Sequence, residues 1–298
     1  MQKQSLLRKL FIVAGMTVLV LVIGKLTEVR PLIVMSYNIR LGVANDSLNS
    51  WDNRKPATIA MLNDVMPDVF GVQEAHDFQV KYILDNCPRY KAVGVGRDDG
   101  VSAGEHMSVF YDTTRVALKT WGTYWLSETP DVPSLGWDAA CYRTATWALL
   151  RDLEKKKDFF FVNTHLDHVG KVARREGLAL IYNRIMKMNP KGIPMVLTGD
   201  FNVLPDDPCL EDINSLMHSA RFDSKQTDAI GSFNGFGAYG NSASAPVLDD
   251  TAAEREDLRP LDYIYYSGFK SALFKVVTKT YLDIPYISDH YPVFAVLK

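Results

Sequence analysis

Six apolar runs of the sequence start or stop on side chains that a core strand does not need. "VMSYNIR" ends near Asn38, "VFGVQEAH" on Glu74, "FVNTHLDH" on His165, and "VLTGDFN" on Asp200 and Asn202. "LDYIYYS" begins at Asp262, and "ISDHYPVF" opens with Asp289 and His290. Side chains alternate faces along an extended chain, so Asp200 and Asn202 project to one side if the strand continues that far. If the six ends converge, one place holds four carboxylates, two imidazoles and two carboxamides.

That inventory suits phosphoryl chemistry. Magnesium and manganese prefer oxygen donors, so Glu74, with Asp289, Asn38 and Asp200 as further donors, could hold one such cation and leave room for water and phosphate oxygens. The cation would act as a Lewis acid on a phosphoryl group. His290, oriented by Asp262, could handle a proton near neutral pH, and Asp200 could position or deprotonate the attacking water. Asn202 and His165 could donate to the non-bridging oxygens, where charge builds in the transition state.

Each residue also has a structural reading. Asn38 could cap a turn, and Glu74 could cap or pair on a helix expected near Asp77. Either histidine could be a hydrogen-bonded strand-end residue, and Asp200 with Asn202 could be turn residues around a bend eased by Gly199. Separate readings of this kind do not explain why so many strand ends carry such groups together.

The elements that must position these residues are mostly strands. From Leu32 onward, short runs rich in Val, Phe, Tyr, Trp and Ile alternate with turn signals, with no linker, repeat or low-complexity tract. "RDLEKKKDFFF" reads as a hairpin between neighbouring strands. Leu178, Ile181, Ile185 and Met188 make one apolar helical stripe between Lys171 and Asn189, with Arg174, Arg175 and Arg184 among the polar positions. Pro56 suits the first turn of a second helix, and "DFQVKYILDN" reads as a third. Strands outnumber helices, which implies mixed, largely antiparallel sheets packed face to face with helices outside, an α/β sandwich.

The first 30 residues differ from the rest. Lys3, Arg8 and Lys9 precede an uncharged apolar run from Leu10 to Gly24, closed by Lys25. A positive flank before a short apolar run fits an export signal, and the run is short for a spanning helix of ~20 residues. Residues 1–30 are therefore expected to be a signal peptide or an N-terminal membrane anchor, and residues 31–298 the folded domain, exported to the periplasm or cell exterior or held at the membrane.

Composition bounds the partners. With 298 residues, 47% of them hydrophobic, the chain can bury a sizeable core, and a formal net charge of -2 disfavours a dedicated nucleic-acid binder. Cys87, Cys141 and Cys209 are too few and too widely spaced for a zinc site or a full disulfide framework, so buried free thiols are expected.

The ordered set "MSYNIR", "VQEAH", "VNTHLDH", "TGDFNVLPDD", "LDYIYYS" and "SDHYPV" resembles the endonuclease/exonuclease/phosphatase superfamily of deoxyribonuclease I-like hydrolases over nearly all of Leu32 to Lys298. The resemblance implies a four-layer α/β sandwich and hydrolysis of a phosphoester dependent on Mg2+ or Mn2+. It makes Asn38 and Glu74 metal-site residues with Asp289 close by, and Asp200 the residue that aligns the nucleophilic water. It makes Asn202 a phosphate contact, His290 the proton-handling or phosphate-stabilising histidine held by Asp262, and His165 a second catalytic histidine. Arg143 sits where many members place a phosphate-facing cation. Asp167 and His168 follow His165 closely enough to bear on specificity. Two local features look particular to one branch: Trp51, Asp52 and Arg54 before the first helix, and Phe233, Asn234 and Phe236 in a glycine-rich loop. Aromatic and amide groups on such loops would suit the non-phosphate part of a substrate.

The expected activity is divalent-metal-dependent hydrolysis of a small or lipid-linked phosphodiester by in-line attack of an activated water, in a monomer. A nuclease acting on DNA or RNA shares the chemistry but lacks a basic groove signature. A two-carboxylate glycosidase built on Glu74 and Asp200 would leave the histidines and asparagines without a role.

Overall fold

The computed structural model describes residues 30–237 and 259–298, and one compact unit runs from Leu32 to Lys298. The apolar N-terminal segment lies outside the described residues. Among the described residues, no helix is long and apolar enough to cross a membrane.

Two sheets face each other. The first contains β1 (Leu32–Asn38), β2 (Val69–Gln73), β3 (Tyr90–Val93), β4 (Val109–Asp112), β10 (Gln226–Thr227), β12 (Ser271–Val276) and β13 (Val293–Leu297), in the order β10-β12-β13-β1-β2-β4-β3. The second contains β5 (Val116–Trp125), β6 (Thr144–Asp152), β7 (Lys157–His165), β8 (Met195–Asp200), β9 (His218–Ser219) and β11 (Asp262–Ser267), in the order β5-β6-β7-β8-β11-β9. As expected, β6 and β7 form a hairpin, with Asp152 opposite Lys157 and with Lys155 and Lys156 in its turn.

Most neighbours are antiparallel, but each sheet has a parallel pair near its centre: β1 with β2, and β7 with β8. Parallel neighbours need a crossover, and helices supply both. Helix α1 (Trp51–Val65) joins β1 to β2, α2 (Asp77–Asn86) follows β2, and α3 (Lys171–Met188) joins β7 to β8. Helix α1 starts earlier than the proline suggests, so Pro56 lies inside it. The short helices α4 (Glu211–Leu216) and α5 (Ala220–Asp223) follow β8.

Three apolar clusters define the layers. One lies between the sheets, around Val34, Val109, Phe161, Phe274 and Val293. A second joins the outer face of the first sheet to α1 and α2 through Met35, Phe70, Met61 and Ile83. The third joins the second sheet to α3 through Val162, Leu197, Leu178 and Ile185, so the expected stripe of α3 faces the core. These make the four-layer α/β sandwich.

Toward one end the space between the sheets turns polar. Asn163 of β7 donates to Val72 O at 2.7 Å, and its Oδ1 accepts from Gln73 Nε2 at 2.6 Å and from Thr198 Oγ1 at 3.2 Å. Gly71 makes this crossing fit, since a Cβ there would lie 2.2 Å from Asn163 Oδ1. The polar layer marks the floor of the candidate site.

Candidate active site

The register of the strands explains the convergence read from the sequence. In the second sheet His165 is opposite Asp200, and Asp200 is opposite Asp262. In the first sheet Asn38 is opposite Gln73, one residue before Glu74. The carboxyl ends of two parallel pairs meet the start of β11 and the segment before β13. Open α/β sheets present functional groups at such strand ends.

Asn38 ties the sheets together. Its Nδ2 donates to Glu74 Oε1 at 3.0 Å and to Asp200 Oδ2 at 2.9 Å, while its Oδ1 accepts from Arg40 N at 3.0 Å. Leu41 N donates to Glu74 Oε2 at 3.0 Å. The amide of Asn38 therefore orients the carboxylates, with one lone pair of its oxygen already engaged. Arg40, gripped by Asp46, lies 3.6 Å from Asp289 and 3.9 Å from Glu74. Arg40, Glu74 and Asn202 all adopt positive φ, a strained conformation that clusters at functional sites.

Gly199 does not make the bend after β8. It lies within the strand, where a Cβ would sit 2.3 Å from Thr164 O, so glycine is needed for close strand approach. The turn is made by Asn202, at φ 55°, whose N–H donates to Asp200 Oδ1 at 2.9 Å. The side chain of Asn202 donates to His165 Nε2 at 2.9 Å and to Leu166 O at 3.0 Å. Both amide hydrogens are thus engaged by the protein, and Asn202 orients His165 in this arrangement.

His165 accepts at Nε2 and carries its proton at Nδ1, which faces Glu105 Oε2 at 3.9 Å. Burial, with the positive charges of Arg143 and Arg97, holds this imidazole neutral, well below the usual histidine range. Glu105 is held by Arg97 at 2.7 Å, and burial raises its pKa. Neither residue stood out in the sequence, yet Glu105 follows the same rule as the others, an acid at the mouth of a core strand.

Asp200 is 1% exposed and lies 3.6 Å from both His165 Nε2 and His290 Nε2. Burial, reinforced by the charge of Asp262, raises its pKa to about 7 against the pull of His290. His290 is pushed the other way. Burial alone would lower its pKa, but Asp262, 2.8 Å from Nδ1, and Asp200 outweigh that and raise it to about 10. One buried carboxylate thus separates a neutral imidazole from an imidazolium.

Ser288 Oγ donates to Asn38 O at 2.6 Å and holds the segment carrying Asp289 and His290 against β1. Asn234 does not present its amide outward. It is 1% exposed, donates from Nδ2 to Ser288 O, and accepts from Phe236 N at 2.8 Å, so it ties its own loop to the site. Phe233 packs on His290 with ring centroids 4.8 Å apart.

Arg143 is buried beside the site. Its Nε donates to Asp167 Oδ2 at 3.3 Å, and its terminal nitrogen donates to His168 Nδ1 at 3.0 Å. His168 is exposed. Cys141, Asp167 and His168 lie close enough to suggest a cation, but Arg143 already occupies the acceptor atoms of Asp167 and His168. All three cysteines are free, and only Cys87 is fully buried.

The residues fit a hard divalent cation near Glu74 and Asp289. Burial and the charge of Glu74 raise the pKa of Asp289, a tension that a nearby cation would relieve. Glu74, His165 and Asp200 offer donor atoms within 4.8 Å of one another. Asp200, Asp262 and His290 are as close, but a protonated His290 has no lone pair for a metal.

Two mixed sheets flanked by helices, with a carboxylate-rich mouth at one end, define a hydrolytic α/β sandwich. The chain belongs to the Endonuclease/Exonuclease/phosphatase family, whose model matches residues 35–290. Enzymes of this family hydrolyse phosphoester bonds and generally use divalent metals, and this protein is an enzyme of that class. The chain is 32% identical to the mannosyl-6-phosphatase of Bacteroides thetaiotaomicron, with 90% of this chain and 99% of that one covered at a TM-score of 0.80. It is 33% identical to an endonuclease/exonuclease/phosphatase from Bacteroides vulgatus, covering 90% and 98% at a TM-score of 0.80. The catalytic domain of human nocturnin, 17% identical over 90% of this chain and 93% of that one at a TM-score of 0.67, shares the fold. An uncharacterized protein of Acanthamoeba polyphaga mimivirus is 27% identical over 56% of this chain, and the match spans 63% of the viral protein.

Proposed function

We propose that the protein hydrolyses a small phosphoester with Mg2+ or Mn2+, and that a sugar phosphate is the first substrate class to test. The observation that carries the mechanism is Asp200, buried 3.6 Å from both histidines, with its proton affinity raised toward neutrality. A general base works best when its pKa lies near the operating pH. The sugar phosphate rests on similarity to the Bacteroides thetaiotaomicron mannosyl-6-phosphatase. A small substrate also suits a chain of net charge -2 whose site is rich in carboxylates.

Glu74 and Asp289, with Asn38 beside them, would hold the cation, which supplies Lewis-acid polarisation of a phosphoryl oxygen. Asp200 accepts the proton of the attacking water as the new P–O bond forms in line with the breaking one. His290, kept protonated by Asp262, donates from Nε2 to the developing charge and then to the leaving oxygen. The proton on Asp200 returns to His290 across the contact between them. Asn202 orients His165 beside Asp200, burial with the charges of Arg143 and Arg97 keeps that imidazole neutral, and Arg143, fixed by Asp167, faces phosphate oxygens with His168 at the rim. The protein acts as a monomer, exported or anchored through residues 1–30, which sequencing of the mature N-terminus checks.

The test is a panel of sugar phosphates, other phosphomonoesters, phosphodiesters, nucleic acids and phospholipids, each with magnesium, manganese and chelator. Metal-dependent turnover of a small ester that collapses in Asp200→Ala and His290→Ala proteins is expected. The reading fails if no panel member is cleaved faster by wild type than by those variants. Cleavage of a nucleic acid alone, weakening steeply with salt, would replace the small substrate with a polymer.

A further inference from the structure

Arg54, on α1, is 0% exposed, and no carboxylate pairs with it among the described residues. Its Nε donates to Asn49 O at 2.6 Å, and its NH1 donates to Ile39 O at 2.9 Å and to Ile287 O at 2.7 Å. The guanidinium lies 5.6 Å from the ring centroids of both Trp51 and Phe236. Its NH2 has no hydrogen-bond partner. Burying an unpaired cation is expensive, and an apolar side chain of similar volume would fill the space at lower cost. The groups that the guanidinium holds must account for it.

Those groups frame the cation-binding residues. Ile39 follows Asn38, and Ile287 stands two residues before Asp289. The two carbonyls come from parts of the chain 248 positions apart, the difference between 287 and 39, and one nitrogen bonds both. Planar geometry and directed N–H groups make an arginine stiff in this role, where a lysine would be a mobile point charge. Trp51 and Phe236 clamp the guanidinium, and the loop of Phe236 is itself tied to Asp289 O through the N–H groups of Asn234 and Gly235.

We infer that Arg54 is a positioning residue for the metal site, setting the separation of the Asn38 strand end from the Asp289 segment. It thereby sets the spacing of the oxygens offered to a divalent cation. The inference rests on the assignment of Asn38, Glu74 and Asp289 to that cation. Residues that orient ligands from outside the coordination sphere govern metal affinity, and losing one typically weakens it about 10–100-fold.

The experiment titrates substrate-free protein with Mn2+ and follows the free ion by electron paramagnetic resonance, for wild type, Arg54→Lys and Arg54→Met. Circular dichroism and melting temperature are recorded alongside. Folded variants should bind Mn2+ about tenfold or more weakly than wild type, with turnover recovering as Mn2+ approaches saturation. A lower melting temperature with unchanged Mn2+ affinity overturns the inference, because Arg54 would then only stabilise the fold. Failure of both variants to fold overturns it for the same reason. If wild type itself binds no Mn2+, the metal assignment falls and takes the inference with it.

Discussion

His290 Nδ1 lies 2.8 Å from Asp262 Oδ2, and this contact decides which nitrogen of the imidazole faces the site. Asp262 opens β11 directly opposite Asp200, so the partner that holds the histidine and the carboxylate it faces belong to one rung of the sheet. Asp262→Asn keeps the shape and removes the charge. Turnover should fall by a factor of about 10²–10⁴, and the alkaline limb of the pH–rate profile should move to lower pH. The sign follows from the raised pKa of His290. Its imidazolium contributes stability that is complete below the unfolded value of about 6.5 and is lost as pH rises through about 10. Profiles of kcat/KM and urea melts from neutral pH upward check both, and an unmoved alkaline limb would refute the pairing's role.

Adding Mn2+ or Mg2+ should raise the melting temperature, because a ligand that binds only the folded state stabilises it by about 2.7 kcal/mol at 100 times Kd. The shift should disappear in Glu74→Gln protein and with chelator. Differential scanning calorimetry across a metal series measures it directly.

Gly71→Ala should destabilise the domain by roughly 1–3 kcal/mol. The added Cβ would lie 2.2 Å from Asn163 Oδ1, so the hydrogen bond that Gln73 donates to that oxygen must shift with it. Urea denaturation gives the loss. An alanine protein as stable as wild type would show that the polar layer tolerates displacement.

At the opposite end of β6, Arg115 and Asp152 form a buried ion pair. Burial would raise the pKa of Asp152, but the hydrogen bonds from Arg115 and from Lys155 N outweigh it and lower the value. The pair's stabilisation is therefore present above the unfolded aspartate pKa of about 3.9 and is lost as pH falls through the folded value. Arg115→Met strands the carboxylate and should cost about 3 kcal/mol at neutral pH, with a smaller difference in acid. Denaturant melts of both proteins at pH 7 and in acid test this.

Much of the site was legible because its residues break a pattern. An acid or amide that ends an apolar run is conspicuous, and Asn38, Glu74, His165, Asp200, Asp262, Asp289 and His290 all do so. Glu105 follows the same rule at "GEHMSVF" but lies in a glycine- and serine-rich stretch that reads as a loop. Arg40 was inconspicuous for the opposite reason, since an arginine beside a turn is ordinary until its partners are known, and Arg54 was noticed only as one of three residues near the first helix, with nothing in the sequence to show its burial or its carbonyl partners. Asn234 and Gly199 show how a residue type leaves its job open. The amide faces its own loop, and the glycine admits a neighbouring strand instead of bending its own.

By itself the sequence determined the strand-rich sandwich, the helical stripe of α3 and the identity of the polar strand ends, because periodicity and strand-end chemistry are local properties of the chain. Only the tertiary structure decided the charge states and the neighbours that impose them, such as Arg97 and Arg143 around His165. The same imidazole is neutral at position 165 and protonated at position 290, since burial beside arginines disfavours its charge and burial between carboxylates favours it. Those neighbours come from strands far apart in the chain, and their register across the sheets brings them within reach.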